Sequence, residues 1–293
     1  MNWSRKRLVR IEDEFVQLRN INIVMPGLVP GIHVFFPCKA KTWMAGHRRA
    51  EATPSFERLC PAMTRTAIEI VDRSSLNVAG VDLIADLSGA LFWEDERLLV
   101  VSDLHLEKGS SFATRGVLLP PYDTVATLSR LAAVIARHDP RTVIALGDSF
   151  HDREAHERLS APDREAIAAL QTRRDWIWIS GNHDPALSSD LGGVVASEVA
   201  VGPIAFRHEP TGASGEIAGH LHPKARVSTR GRSMERRCFA CDGERAVMPA
   251  FGAYTGGLSI RDAAFAKIFQ TPGLMAHVLG DRKLHTIAAS RCY

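Results

Sequence analysis

Residues 142–185 read TVIALGDSFHDREAHERLSAPDREAIAALQTRRDWIWISGNHDP, in which two short apolar runs flank a longer polar segment. The runs at 142–147 and 175–180 have the length and the aliphatic and aromatic content of buried strands. The residues between them predict a helix around 153–172. A strand, a helix and a second strand in this order predict a βαβ unit, in which the two strands lie parallel in one sheet.

The pattern of strands and helices extends in both directions from this unit. Upstream, VDLIADLSGALFWEDERLLVVSD (81–103) predicts short strands joined by tight turns. Downstream of Gly192 the segments predict strands without long helices, and therefore a second mixed sheet packed on the first. Because there is no linker and no internal repeat, residues 63–293 predict one α/β domain. The segment YDTVATLSRLAAVIARHD (122–139) predicts a helix whose apolar face contains Val125, Leu128, Leu131, Ala132 and Ile135.

Residues 1–62 differ from the rest of the chain in charge and in pattern. They contain 10 Lys and Arg against 5 Asp and Glu, although the whole chain has a net charge of only +3. Five prolines interrupt any helical or alternating period. The segment resembles the translated product of a short repeated DNA element of the MPGLVPGIHVF…AMT type. We therefore expect an over-extended start, with the protein beginning near Met63; the alternative is a basic arm that contacts nucleic acid.

The composition is that of a globular protein in water. Of the 293 residues, 45% are hydrophobic and 24% are charged. No apolar run approaches the roughly 18–20 residues that a membrane helix needs, so we expect no membrane partner. The five cysteines form no disulfide framework, which favours a reducing compartment and a cytoplasmic location.

Five short segments place a His, Asp or Asn at or just after the end of a predicted strand. In an open α/β sheet, ligands bind in the crevice at the carboxyl ends of the strands. We therefore expect these polar side chains to meet at one edge. The segments are SDLHLEKG (102–109), LGDSFHD (146–152), SGNHDP (180–185), RHEP (207–210) and AGHLHP (218–223).

The residue types in these segments indicate a metal centre. A mixed set of oxygen and imidazole donors suits divalent Mn, Fe, Zn or Co better than Ca or Mg, which prefer oxygen alone. Seven donors exceed what one ion needs, whereas two ions that share a carboxylate would use them all. Two ions about 3.5–4 Å apart can hold a phosphoryl group and activate water. We predict two divalent ions, with Mn as the first choice, held by Asp103, His105, Asp148, Asn182, His208, His220 and His222.

The motifs D-x-H, G-D, G-N-H-D, H and G-H-x-H, in that order, resemble the calcineurin-like metallophosphoesterase superfamily. SDLHLEKGSSFA, GEIAGHLHPKA and MPAFGAYTGGL are similar to a subfamily of ligase-associated DNA damage response endonucleases. The resemblance covers residues 66–287. It implies a four-layer α-β-β-α sandwich of two mixed sheets and metal-dependent hydrolysis of phosphodiester bonds. It also implies DNA as the substrate and an association with an ATP-dependent DNA ligase, a helicase and an exonuclease in DNA repair.

The resemblance assigns a role to each matching residue. Asp103, His105 and His222 would hold the first metal ion, and Asn182, His208 and His220 the second. Asp148 would bridge both ions. His183 would be the catalytic histidine, which stabilises the transition state or protonates the leaving oxygen, a role that suits imidazole. The complete set argues against a non-catalytic binding module, while a nucleotidase or small-molecule phosphatase on the same scaffold stays an alternative.

A basic stretch comes directly after the last predicted ligand. On a hairpin, its residues would form a positive rim able to hold phosphates that flank the reacting one. The alternative is a solvated edge hairpin whose charges block aggregation. We predict four of its arginines as substrate contacts, Arg230, Arg232, Arg236 and Arg237.

Each of three polar residues near the predicted ligands has two possible roles. His151 and Asp152 either orient a ligand or contact substrate, or they cap the following helix. Asp184 either hydrogen-bonds a ligating imidazole or lies in a turn with Pro185.

Overall fold

The computed structural model describes residues 75–229, 232–269 and 272–293, which belong to one compact unit. The predictions for residues 1–62 lie outside the described residues, and so does Arg230. No helix within the described ranges is long and apolar enough to cross a membrane.

Within the described ranges, the first sheet has seven strands, which lie side by side in the order of the chain. They are β1 (Ser75–Val78), β2 (Val81–Ala85), β3 (Leu91–Trp93), β4 (Leu98–Val101), β5 (Thr142–Leu146), β6 (Asp175–Ile179) and β7 (Val194–Ala196). Strands β1 to β4 are antiparallel, because short turns connect them, and β4 to β7 are parallel. The predicted βαβ unit is present between β5 and β6.

Most helices follow strands of the first sheet. They are α1 (Lys108–Thr114), α2 (Asp123–His138), α3 (Ala155–Arg158), α4 (Ala161–Gln171) and, after the second sheet has begun, α5 (Ala263–Ile268). Short 3₁₀ turns span Ser189–Leu191 and Ala289–Arg291. The single helix predicted around 153–172 is wrong, because extended backbone at Leu159 and Ser160 divides it. Ser160 caps α4 by accepting a hydrogen bond from the backbone of Asp163, and a proline lies in the first turn.

The second sheet contains the remaining strands and is mixed, as predicted. They are β8 (Glu198–Val201), β9 (Ile204–Arg207), β10 (Glu216–Ala218), β11 (Lys224–Thr229), β12 (Arg232–Cys241), β13 (Arg245–Val247), β14 (Met275–Leu279) and β15 (Leu284–Ala288). Their spatial order is β15-β14-β12-β13-β10-β9-β8, and β11 forms a hairpin with β12. Strands β9, β10 and β13 are parallel, and their other neighbours are antiparallel.

Three apolar clusters define the layers of the fold. Leu98 and Val100 of β4 face the second sheet, where they join a cluster with Phe206. Leu99 faces the opposite way and packs in a second cluster with Leu131 of α2, because successive side chains of a strand point to opposite faces. A third cluster lies between the outer face of the second sheet and α5. The order helices, sheet, sheet, helix confirms the predicted four-layer sandwich.

Helix α2 begins and ends within one residue of its predicted bounds, but two predicted core residues are wrong. Leu128, Leu131 and Ile135 are buried, whereas Val125 is 53% exposed and Ala132 is also exposed. At about 100° per residue, Val125 and Ala132 lie roughly 110–130° around the helix from the centre of the buried stripe. Thr124, Thr127 and Val134 are buried instead.

Candidate metal centre

The predicted ligands lie in loops that follow strands of both sheets. In the first sheet they come two residues after β4 and β5 and three after β6, so the parallel strands deliver them to one edge. In the second sheet they follow the parallel strands β9 and β10. The structure therefore brings together all seven predicted ligand side chains, Asp103, His105, Asp148, Asn182, His208, His220 and His222.

The first donor group consists of Asp103, His105 and His222. Its three ligand atoms lie within 4.8 Å of one another. Nε2 of His222 is 3.0 Å from Oδ1 of Asp103 and 3.4 Å from Nε2 of His105. The carboxylate of Asp103 is fully buried and also accepts a hydrogen bond from the hydroxyl of Ser102.

The second donor group consists of Asp148, His208 and His220, with Asn182 beside it. Nε2 of His208 lies 2.9 Å from Oδ1 of Asn182, 3.2 Å from Nδ1 of His220 and 3.5 Å from Oδ2 of Asp148. On its other side, Nδ1–H of His208 donates to the carbonyl oxygen of Leu146 at 2.9 Å. This bond orients Nε2 towards the other donors, as a carbonyl typically does for a metal-binding histidine.

Asp148 lies between the two groups. Its Oδ2 is 3.5 Å from Nε2 of His208 and 4.0 Å from Nε2 of His105, one histidine from each group. These two distances are longer than those of ordinary hydrogen bonds, although the imidazole nitrogens face the carboxylate oxygen. This donor chemistry fits divalent cations with mixed nitrogen and oxygen ligands.

The pKa shifts at the centre arise from burial and from the two carboxylates. Burial lowers the pKa of His105 to about 3, so this imidazole is neutral and able to ligate at pH 7. Burial disfavours the charge on Asp148, but hydrogen bonds from His208 and from the backbone of His183 lower its pKa to about 2. Burial likewise opposes protonation of His208, yet Asp148 and Asp103 raise its pKa to about 9. A ligating His208 has to give up that proton, so cation binding there releases a proton.

Left-handed backbone is concentrated at the predicted ligands. Five of the seven have φ between 43° and 68°, a conformation that costs a non-glycine residue roughly 1–2 kcal/mol. Such strain is typical of functional sites, where the surrounding structure holds it in place. The five residues are Asp103, His105, Asp148, His220 and His222.

Two glycines allow the loops to pack against the carboxylates. A Cβ atom at Gly181 would collide with the backbone nitrogen and Oδ1 of Asp148. A Cβ atom at Gly219 would collide with the hydroxyl of Ser102 and lie 2.6 Å from Oδ2 of Asp103. Each glycine therefore permits a close approach that any side chain would prevent.

His183, the predicted catalytic histidine, lies at the opening of the centre. Its side chain is 40% exposed, and its Nε2 is 3.9 Å from Oδ2 of Asp148. Its Nδ1–H donates to the carbonyl oxygen of His151 at 2.7 Å. This bond places the proton of the neutral ring on Nδ1 and leaves Nε2 facing the donor groups.

His151 belongs to the site, which the sequence left undecided. Its ring stacks on His183 with centroids 5.4 Å apart, and its Nδ1 is 3.5 Å from Nδ1 of His105. Burial, together with the charge of Lys108, lowers the pKa of His151 to about 4. The three histidines form a further cluster able to hold a cation.

The two aspartates of uncertain role act on the backbone. Asp184 accepts hydrogen bonds from the N–H groups of Gly181 and Phe150, both at 3.0 Å, and so ties two ligand loops together. Among the residues that the structure describes, it bonds no imidazole. Asp152 accepts from the backbone of Glu154 and pairs with Arg158 at 2.6 Å. It does not cap α3, because the N-cap of that helix is Glu154 and has no side-chain cap hydrogen bond.

The predicted substrate arginines have different environments. The predicted hairpin is present, but Arg236 pairs with Asp281 at 3.2 Å, while half-buried Arg237 donates to the carbonyl of Ala250 at 2.6 Å. The side chain of Arg232 is not described. Sequence reasoning missed Arg130, which lies beside Arg237.

Comparison with known proteins agrees with this geometry. A model of the family described as calcineurin-like phosphoesterase matches residues 96–238. This match covers just under half of the chain. Together with the two-sheet fold and the donor groups, it supports a metal-dependent hydrolase of phosphoester bonds. Among solved structures it is similar to nuclease MPE of Pseudomonas putida, with a TM-score of 0.56 and 28% identity. That similarity covers 72% of this chain and 99% of the nuclease. No curated protein matches the chain.

Proposed function

We propose that this protein is a phosphodiesterase with two divalent ions that cuts DNA strands as an endonuclease of DNA repair. The observation that carries the proposal is the position of Asp148 between two donor groups, each complete enough to hold an ion. When bound, two such ions hold phosphoryl oxygens and lower the pKa of a water molecule. The mixed donors favour Mn, with Fe, Zn and Co as alternatives.

His183 supplies the proton that the reaction needs. Its Nδ1–H bond to His151 orients Nε2 towards the space above Asp148, and its exposure leaves Nε2 accessible to substrate. In the protonated ring, Nε2–H donates to the leaving oxygen as the phosphorus–oxygen bond breaks, and His183 ends the step neutral. A positioned general acid of this kind contributes about 10²–10⁴-fold to a rate.

DNA is the substrate that the similarities favour. The structural relative is named a nuclease, and nearly all of its chain is covered. The motifs that resemble ligase-associated endonucleases extend the proposal to cytoplasmic DNA repair alongside a ligase, a helicase and an exonuclease. Phosphates that flank the cut bond would need cations outside the donor groups, and the basic hairpin lies directly after His222.

A nucleotidase is the second candidate, because a cleft adjoins the second donor group. It has a volume of about 330 Å³, at the lower end of small-molecule sites, and Asn182 and His208 form part of its wall. Arg207 lies in the same cleft, but it forms ion pairs with Glu198 at 3.0 Å and Glu216 at 3.5 Å. A nucleoside could enter here with its phosphate on the donors.

Substrate choice after metal reconstitution tests the proposal. We expect two ions per chain, cleavage of DNA and of bis-p-nitrophenyl phosphate, and slower hydrolysis of p-nitrophenyl phosphate. Activity confined to free nucleotides and monoesters would favour the nucleotidase. A single ion per chain with full activity would overturn the two-ion arrangement.

A further inference from the structure

A second cleft of about 460 Å³ opens beside the hairpin of β11 and β12. Positive side chains from three elements converge on it: Arg130 of α2, Lys224 of β11, and Arg236 and Arg237 of β12. Gly252, Ala253 and Thr255 form another part of its wall. The cleft contains none of the predicted metal ligands.

Two of these arginines are held by one short piece of backbone. Nη1 of Arg130 donates to the carbonyl oxygen of Phe251 at 2.7 Å, and its guanidinium lies 5.5 Å from the Phe251 ring centroid. Nη1 of Arg237 donates to the carbonyl oxygen of the preceding residue, Ala250, at 2.6 Å. Nη2 of Arg237 lies 3.4 Å from the carbonyl oxygen of Ser88. Each guanidinium has five N–H donors, so both keep donors for a ligand.

The charges of these two arginines lack a carboxylate partner among the described residues. Their neighbours differ, since Lys224 pairs with Glu235 at 3.4 Å and Arg236 pairs with Asp281 at 3.2 Å. Burial lowers the pKa of Arg130. Burial and then the charge of Arg130 lower the pKa of Arg237 to about 10. Both groups stay charged at pH 7, and adjacent half-buried like charges are costly unless an anion accompanies them.

The backbone that holds the arginines is also bonded to the metal centre. The N–H of Phe251 donates to the carbonyl of Ser102 at 2.7 Å, and the N–H of Gly252 donates to that of Asp103 at 3.1 Å. The two guanidinium groups therefore lie one backbone segment away from the first predicted ligand. An anion bound by both arginines would be separated from the first donor group by this segment.

We propose that Arg130 and Arg237 together bind one phosphate of a polynucleotide strand, adjacent to the phosphate that is cut. The identity of the strand rests on the proposed function. The site changes the predicted set of four arginines that contact substrate. Arg237 belongs to it, Arg236 is neutralised by Asp281, and Arg130 of α2 is the second arginine. Planar guanidinium groups suit bidentate recognition of phosphate.

The salt dependence of DNA binding by the full metal-loaded chain tests the site. We would measure binding by fluorescence anisotropy in the His183→Asn background, so that the strand is not cut. Each lost phosphate contact lowers the slope of log K against log salt by about 0.7–0.9. Because the arginines share one phosphate, Arg130→Gln, Arg237→Gln and the double variant should each lower the slope by about one such step. Arg97→Gln is the matched control. Arg97 lies just before β4, and its exposed charge already pairs with Asp139.

Three outcomes would overturn the site. They are an unchanged slope in both single variants, a drop of two steps in the double variant, or an equal drop in the Arg97→Gln control. If the glutamine variants unfold, Arg130→Lys and Arg237→Lys keep the charge but lose the bidentate geometry. These should retain the slope while binding DNA about tenfold more weakly, and undiminished affinity would contradict the proposal.

A second probe separates this site from the proposed function. Calorimetry with inorganic pyrophosphate should show two binding events in the native chain and one in the double variant. If the native chain binds no DNA but this difference persists, the DNA assignment fails and the anion site stands. If both proteins bind pyrophosphate with equal stoichiometry, the anion site fails whatever the substrate is.

Discussion

Oδ1 of Asp148 accepts a hydrogen bond from the backbone N–H of His183 at 2.8 Å. The carboxylate that lies between the two donor groups is thereby attached to the residue that we predict as the general acid. Its other oxygen, Oδ2, remains free to face His105 and His208. This backbone hydrogen bond holds Asp148 next to His183, so a substitution at Asp148 should affect the position of His183 as well.

Asp148→Asn should reduce metal content and activity more than any other single ligand change. The amide keeps the shape of the side chain but loses the charge that both ions would share. We expect at least a 100-fold loss in kcat/KM, or ~2.7 kcal/mol, and fewer than two ions per chain by elemental analysis. His105→Ala should retain more metal, and Asp175→Asn, at the exposed start of β6, should behave like the native protein. Two ions per chain with near-normal turnover would exclude the bridging role.

His183→Asn should lower kcat by about 10²–10⁴-fold while leaving the metal content unchanged. The reason is that His183 offers Nε2 to the leaving oxygen but lies outside both donor groups of the proposed ions. Elemental analysis and turnover on bis-p-nitrophenyl phosphate would be measured on the same preparation. His285→Asn, on the exposed face of edge strand β15, is the control. Loss of metal in the His183 variant would make it a ligand instead.

Gly181→Ala should disrupt the centre although no functional group is removed. The added methyl group collides with the backbone nitrogen of Asp148, and backbone cannot move aside cheaply. We expect lower metal affinity and a lower melting temperature by scanning calorimetry. Gly256→Ala is the matched control, since no atom lies within 4 Å of its added Cβ. Equal behaviour of the two variants would mean that the loop relaxes without cost.

Asp86, which is not one of the predicted metal ligands, should make stability depend on pH. Burial opposes its charge, but hydrogen bonds from His138, Ser88 and Arg137 outweigh burial and lower its pKa well below the usual range. The unfolded value is about 3.9, so its stabilisation is present above about pH 4 and lost as pH falls below that.

Asp86→Asn should therefore cost about 1–3 kcal/mol of unfolding free energy at pH 7, and the difference from the native protein should shrink below pH 4. Urea denaturation at a series of pH values measures this. Asp95→Asn, an exposed residue of the turn before β4, should show no such trend. A difference that stays constant with pH would indicate a packing effect instead of an ionised carboxylate.

The edge of the first sheet and most residues of the candidate donor groups could be predicted from the sequence. The apolar runs that end at Val101, Leu146 and Ile179 specify neighbouring parallel strands, and each has a polar side chain within the next three residues. A side chain so close to the end of a strand has little freedom in where it lies. Strand order therefore predicts convergence of Asp103, Asp148 and Asn182 without coordinates. The boundary near Leu159 escaped prediction because the helical period continues on both sides of it.

The tertiary structure alone decided which distant groups meet in the site. His183 bonds the carbonyl of His151, and Asp184 bonds the backbone of Phe150. These partners are more than thirty residues apart in the chain, so no local sequence pattern predicts that they meet. Arg130 and Arg237 are more than a hundred positions apart and come together only because α2 and β12 both reach the segment 250–251. Local sequence specifies where each strand ends and which polar residue lies just beyond that end. The packing of two sheets and a helix, which sums many weak contacts over the whole chain, specifies which charges share a cleft.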